Sequence, residues 1–282
     1  MRSKPRTSAP RAADDPGRID LHLHTDRSDG RFPPDDVLAR AFAGRLDLLA
    51  VADHDLPNVL PAGLHERDGR TLRLVAAAEI SGHHDGREFH LLVYFPGEMP
   101  EDFRAFLRAR ARARAVRYDA AVAKLGLPGL PPADDDARDG ARSLTRHHLY
   151  AALKAARHVR DMREGFQLLG GSAVVPLIDL PYVDAIRIAR EAGGLTSWAH
   201  PGLLDAQAHL ATFVRAGLEG IEGVRPRLDR KTRNGLRSLA EKHGLLLTGG
   251  SDWHGWTEPP LGTFAVTGER ARDFVARLDR AA

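Results

Sequence analysis

The sequence predicts an α/β protein built on a mostly parallel sheet or barrel, and two observations carry that expectation. β-type runs alternate with helical patterns along most of the chain. The polar residues that end those runs are largely of one chemical kind, histidine and carboxylate. In a parallel barrel the strand ends converge on the C-terminal face, where the following loops are free to carry chemistry.

The first run, 19–24 (IDLHLH), alternates so that His22 and His24 share one side while Leu21 and Leu23 share the other. Further strands are expected at 46–52, 72–80, 89–94, 195–199, 220–224 and 245–248, and seven strands suit a barrel as well as an open sheet. Between the first two, FPPDDVLARAFAG has prolines at a helix start, apolar Val37, Leu38, Ala41 and Phe42 at helical spacing, and Gly44 as the stop. Similar covering helices fit YVDAIRIAREAGG, HLATFVRAG, RKTRNGLRSLAEKHG and ERARDFVARL.

Residues 1–17 are rich in Pro, Ser, Arg and Ala without periodicity and read as a disordered tail. The α/β alternation occupies 18–97 and 179–282. Between them, 98–178 reads as a helical insertion standing over one end of the barrel: a long segment EDFRAFLRARARARAVRYDAAVAKLG, a turn-rich acidic stretch, then a helix around HHLYAALKAARHV. On the long helix Arg110, Arg114 and Arg117 fall on one face, with Arg104, Arg108 and Arg112 beside it. They read as a solvated basic face, with a phosphate-binding lid as the alternative.

The 282 residues include 41 Lys and Arg against 38 Asp and Glu, a formal net charge of +3 that permits an anionic substrate without requiring one. The absence of cysteine excludes disulfides, zinc–thiolate sites and thiol catalysis, leaving nitrogen and oxygen donors for any metal. No stretch approaches a membrane span and the N-terminus has no apolar secretory core, so a cytoplasmic protein is expected.

Read in order, the strand ends deliver His22 and His24, Asp53 and His54, Glu79, His90, His200, and Asp252 with His254. Each alone has an ordinary structural explanation. Together they are hard to dismiss, because burying so many ionisable groups at one mouth without compensation costs several kcal/mol per charge, and divalent cations supply the compensation. His90 is the exception: it opens its run, so that strand runs differently or its boundary lies a few residues away. His65, His83, His84, His158, His209 and His243 read as surface residues. Asp20, Asp53 and Asp55 either orient the imidazoles or serve as turn and cap residues.

HLHTDRSDG, ADHD, the step from Glu79 to His90, AHPG and GSDWHG, in that order, resemble the motifs of the PHP (polymerase and histidinol phosphatase) superfamily. Asp29 in the first motif, the spacing of Glu79 and His90, and the insertion before AHPG are most similar to the branch holding nucleoside 3′,5′-bisphosphate phosphatases and a 5′-to-3′ exoribonuclease. LTRHHL resembles that branch's Arg-x-His segment, which makes Arg146 and His148 candidate substrate contacts; Arg225, in the arginine-bearing loop IEGVRPRLD, should also border the site.

The resemblance implies a distorted (β/α)7 barrel of the PHP type, with the insertion over its mouth and two or three divalent ions (Mn, Fe or Zn) held there. His22, His24, Glu79 and Asp252 would hold one ion, Glu79, His90 and His200 a second, and Asp29, His54 and His254 a third. Asp29 comes from the resemblance alone, since by itself it reads as a turn residue before Gly30. The expected activity is hydrolysis of a small anionic phosphate ester, a nucleoside 3′,5′-bisphosphate or short 5′-phosphorylated RNA. A metal-bridging hydroxide would attack phosphorus, with Glu79, Asp252 and His254 as catalytic residues. The alternatives are a phosphatase of a small metabolite such as histidinol phosphate and, from another class, a non-catalytic metal-stabilised binding module. No stable protein partner is implied. Base recognition would need a stacking surface; Tyr94, Phe95, Trp198, Trp253 and Trp256 are placed near strand ends, where aromatics are otherwise core.

Overall fold

The computed structural model describes residues 17–170 and 173–281. The segment expected to be a disordered tail therefore lies, apart from Gly17, outside the described residues. Among them, no helix is long and apolar enough to cross a membrane.

Seven strands form one curled sheet in the order β1 (Ile19–Leu23), β2 (Leu48–Val51), β4 (Arg70–His84), β5 (Arg87–Phe95), β6 (Leu195–Trp198), β7 (Gly220–Val224) and β8 (Leu246–Gly249). An eighth strand, β3 (Gly63–Arg67), hangs outside this path and pairs only with β4. Beyond β8 the chain returns to the first strand: Asp252 N donates to His22 O and His24 N to Trp253 O, so the two edges of the sheet meet. The result is the distorted seven-stranded PHP-type barrel expected from the sequence.

The pairs β1–β2, β2–β4, β6–β7 and β7–β8 are parallel, but β5 is antiparallel to both neighbours. This accounts for His90. A reversed strand begins at the mouth where the others end, so a donor near its start lies level with donors at its neighbours' ends.

Two tight hairpins produce the departures from the expected strand list. Asp68 and Gly69 (φ 50° and 71°) join β3 to β4, and Asp85 and Gly86 (φ 46° and 72°) join β4 to β5. Paired positive φ at Asp-Gly is the two-residue turn that matches strand twist. β3 escaped the reading because GLHER is mostly exposed and carries no apolar alternation.

The barrel is covered by α1 (Pro34–Ala43), α6 (Tyr182–Glu191), α7 (Leu203–Ala216), α8 (Arg230–His243) and α9 (Glu269–Asp279). Between β5 and β6 stand α2 (Glu101–Leu125), α3 (Asp135–Asp139), α4 (Arg146–Ala155) and α5 (Met162–Leu168). The first half of α2 buries Phe103 and Leu107 against the barrel cluster around Phe95, Ile186 and Phe213. Its second half buries Ala115, Tyr118 and Ala121 in a separate apolar cluster with Leu149, Leu153 and Val175. One helix thus ties two cores together.

The face of α2 with Arg114 and Arg117 does not point to solvent, as a solvated basic face would, but turns inward. Arg114 is buried, its Nε 2.5 Å from Asp55 Oδ2, and its guanidinium also donates to Leu144 O and to the Ser81 hydroxyl. Arg117 donates to Glu88 (2.5 Å) and to Pro176 O. Buried carboxylates at the strand ends draw the row inward, because a buried charge is tolerable only when paired.

Candidate metal centre

All nine expected donors converge at the mouth. Glu79, fully buried near the middle of β4, is the hub. Its Oε2 lies 3.4 Å from His22 Nε2, 3.4 Å from His24 Nε2 and 3.1 Å from His54 Nδ1. Its Oε1 lies 3.1 Å from His90 Nδ1 and 3.0 Å from His200 Nε2. One carboxylate therefore faces two sets of imidazoles, one per oxygen. Asp252 Oδ1 stands 3.5 Å from His22 Nε2 and 3.3 Å from His24 Nε2. Asp29 turns Oδ1 to His254 Nε2 (3.3 Å) and Oδ2 to His54 Nε2 (3.6 Å).

Local backbone makes this convergence possible. His22 and His24 leave one face of β1, as alternation requires. His200 and Asp252 sit just past the ends of β6 and β8 with φ of 35° and 52°, a left-handed conformation that costs a non-glycine residue energy and collects at functional sites. Gly250 lets the loop after β8 press on the first strand: a Cβ there would lie 2.3 Å from that of His22.

The electrostatics are those of charges that need each other. Burial opposes ionisation of Glu79, yet the surrounding His54, His22 and His90 hold its carboxyl well below the usual range. Burial likewise disfavours charge on His22, but Glu79, Asp252 and Glu222 outweigh it and lift it well above its ordinary value. His90 is pushed up to about 10 against burial by Glu79 and Glu88, and His254 to about 9 by Asp29 and Asp252. His54 moves the other way, well down, through burial and its neighbours His24 and His90. A neutral imidazole beside Glu79 keeps one ring-nitrogen lone pair for coordination.

These residues fit divalent cations. Glu79 Oε2, Asp29 Oδ1 and His54 Nδ1 are buried with no hydrogen-bond partner, although each faces other donors of the cluster. Buried polar atoms are ordinarily satisfied, and three orphans in one cluster of nitrogen and oxygen donors match a site for borderline metals. Three sets of donor atoms lie close enough to share an ion: His24, Asp29, His54 and His254; His22, His24 and Glu79; His54, Glu79 and His90.

Around the donors, the sequence reading found some supports and missed others. Asp53 accepts from Thr25 N, Thr25 Oγ1 and Ser28 Oγ; Asp20 accepts from Ser251 N, and Asp55 from Ser81 N and Arg114. They fasten the loops rather than the imidazole rings. The carboxylate that does orient a ring is Glu222, unforeseen in β7: its Oε1 lies 3.1 Å from His22 Nδ1 and its Oε2 accepts from His200 N at 2.8 Å. A buried charge inside the apolar run GIEGV was the available signal. Glu88 was also missed; it joins Arg117 and stands 3.4 Å from both His90 Nε2 and Arg146 Nη1.

The centre opens into a cavity of about 340 Å³ lined by Asp29, His54, His90 and His254 on one side and by Arg117, Arg146, His147, Phe166 and Trp256 on the other. Trp256 stacks on His147 with centroids 4.9 Å apart and planes at 28°. Of the five aromatics considered, it is the one left exposed here, while Tyr94, Phe95, Trp198 and Trp253 are core. Arg146 reaches this cavity, but His148 does not. Its Nδ1 accepts from Thr145 N at 3.1 Å and closes the capping box of α4, because a residue three positions into a helix folds back on the cap. Arg225 lines a neighbouring cavity of about 450 Å³ with Ser251 and Asp252, and its guanidinium donates to Pro201 O.

Fold and donor cluster together define the class: a barrel of the PHP type whose mouth gathers nitrogen and oxygen donors suited to metal ions. No family model matches the chain. Among curated proteins it is 29% identical to a 5′-3′ exoribonuclease of Salmonella typhimurium, over 83% of this chain and 84% of that one. It is also 29% identical to a phosphoribosyl 1,2-cyclic phosphate 1,2-diphosphodiesterase of Eggerthella lenta (84% and 94%). With a 3′,5′-nucleoside bisphosphate phosphatase of Chromobacterium violaceum the identity is 28% (84% and 87%). The fold matches a solved structure from Bifidobacterium adolescentis, described as a metal-dependent phosphoesterase, with a TM-score of 0.71 at 24% identity over 92% of this chain and 96% of that one. A Chromobacterium violaceum amidohydrolase with bound sulfate matches at 0.71 and 23%, over 94% and 96%.

Proposed function

We propose that the protein hydrolyses phosphate esters of nucleotides, a nucleoside 3′,5′-bisphosphate or the end of a short 5′-phosphorylated RNA, with His22, His24, Asp29, His54, Glu79, His90, His200, Asp252 and His254 holding two or three ions of Mn, Fe or Zn. The observation that carries the reading is the two-part lining of the cavity beside the centre, cationic at Arg117 and Arg146 and aromatic at Trp256, His147 and Phe166. A nucleotide has the same two parts, an anionic phosphate and a flat base that stacks on any aromatic face. The names of the exoribonuclease and bisphosphatase relatives support the same substrate class.

When bound, divalent ions neutralise the phosphate and lower the pKa of water, which is otherwise a poor nucleophile. The chain's own residues set the stage. Glu79 fixes the spacing of the two imidazole sets, and Glu222 holds the ring of His22 and the backbone of His200. His254 lines the cavity beside the centre, where its imidazole can donate to a phosphate oxygen, and Asp252, on the neighbouring cavity, serves with Glu79 as a carboxylate that would hold metal. Arg146 binds the phosphate as a charge-assisted donor, and Glu88 keeps Arg117 and Arg146 aimed inward.

The test compares Mn²⁺-loaded and chelated protein for release of phosphate from adenosine 3′,5′-bisphosphate and histidinol phosphate and of nucleoside monophosphate from a 5′-phosphorylated short RNA. Metal-dependent release from the bisphosphate or the RNA is expected, and His22→Ala or Asp252→Ala should abolish it while far-UV circular dichroism stays near native. Cleavage of histidinol phosphate alone, or hydrolysis indifferent to the chelator, would overturn the proposal.

A further inference from the structure

Away from the mouth, one further group of metal-type donors lies together among the described residues: His84, Asp85 and His209. His84 ends β4, Asp85 opens the two-residue turn into β5, and His209 lies on α7. His84 Nε2 is 3.6 Å and His209 Nδ1 3.8 Å from Asp85 Oδ2. Both separations exceed a hydrogen bond. They are longer, by half an ångström at most, than the edge, roughly 3.3 Å, of a tetrahedron whose metal–ligand bonds are about 2.0 Å.

The two imidazoles are also held in place, while the Asp85 side chain is 70% exposed. The two rings meet at 87° with centroids 5.2 Å apart. Phe213 supports both, edge-on to His84 at 5.1 Å and stacked on His209 at 6.0 Å. The turn conformation of Asp85 and Gly86 sets its carboxylate beside the helix. Next to it Arg87 grips Asp205 through two hydrogen bonds, 2.5 and 3.0 Å, a second tie between hairpin and α7. Both histidines were expected at the surface; instead they are half-buried on an aromatic floor.

We propose that His84, Asp85 and His209 form a second divalent-cation site, separate from the centre at the mouth, which takes Zn²⁺ with water completing the tetrahedron. Two imidazoles and one carboxylate suit zinc and disfavour Mg²⁺ and Ca²⁺, which want an all-oxygen shell. Mn²⁺, lowest in the affinity order for such a set, fills it poorly. The ion clamps the β4–β5 hairpin to α7 from outside, and that hairpin carries Glu79, Glu88 and His90. Its role is structural.

Zinc per chain, measured by mass spectrometry after dialysis against micromolar Zn²⁺, tests this in the whole protein. The double variant His84→Gln/His209→Gln should bind one ion fewer than the wild type and keep its Mn²⁺-dependent hydrolysis. The variant His22→Ala/Asp252→Ala, disabled at the mouth, should still bind zinc at the outer site, and zinc should raise its melting temperature. Adding the two glutamine substitutions to it should remove that rise. Equal zinc content in wild type and the double variant, or no zinc-induced rise in the mouth variant, overturns the proposal. The latter reading stands even if the double variant fails to fold.

Discussion

Glu222 shows how one side chain governs others that perform the chemistry. It is fully buried, lines neither of the two cavities at the mouth, and engages His22 through one oxygen and the His200 backbone through the other. A carboxylate behind a ligating imidazole fixes its tautomer and raises its basicity. Glu222→Gln keeps the shape and removes the charge. Hydrolysis or metal affinity should then fall about 10- to 100-fold while the thermal unfolding curve keeps a single cooperative transition; steady-state kinetics beside metal titration checks this. An unchanged rate and affinity would reduce Glu222 to a packing residue.

At the scale of elements, the N-terminus of α4 ties a cap to proton binding. His148 accepts from Thr145 N through Nδ1, and burial keeps its ring down at about 4. In the unfolded chain the ring titrates near 6.5, so between 6.5 and 4 the unfolded state holds the extra proton. The stability tied to the neutral ring is therefore intact above pH 6.5 and is lost as pH falls towards 4. Glutamine is a normal capping-box partner at this position and does not titrate. His148→Gln should match the wild type at pH 7.5 and be the more stable protein at pH 4.5, by on the order of 2 kcal/mol. Urea unfolding at the two pH values decides, and parallel curves for both proteins would refute the assignment.

In the molecule as a whole, α2 is the piece that joins the two cores, and Arg114 is its fastener. The guanidinium reaches Asp55 in the loop after β2, Ser81 in β4 and Leu144 before α4, linking three parts of the chain through one side chain. Its removal leaves the buried Asp55 with only Arg110, 4.0 Å away, as a countercharge, and breaking a buried pair in this way costs about 3–5 kcal/mol. Arg114→Ala should lose that much in denaturant unfolding. It should also reduce hydrolysis, because the cavity wall formed by Arg117, Arg146 and Trp256 depends on where α2 and its neighbours sit. A loss below about 1 kcal/mol, the range of a surface ion pair, would mean that the helix is held by its apolar face alone.

The sequence by itself determined the barrel and most of its centre. Alternation places His22 and His24 on one face whatever follows them, and a parallel strand that ends in a donor must deliver it to the mouth; those two rules account for seven of the nine converging residues, leaving His90 as a donor that opened its run and Asp29 to the resemblance. Tertiary structure decided what local pattern cannot encode. The direction of β5, which gives His90 its place, is set by the Asp85-Gly86 turn. The inward turn of Arg114 and Arg117 depends on carboxylates from distant strands, so a helix read alone shows only a basic face. Glu222, and the replacement of His148 by His147 at the cavity, are likewise matters of which atoms meet across the fold. Periodicity fixes which side of an element a residue occupies, because the backbone repeat is local; the partner waiting on that side is fixed only when the whole chain has packed.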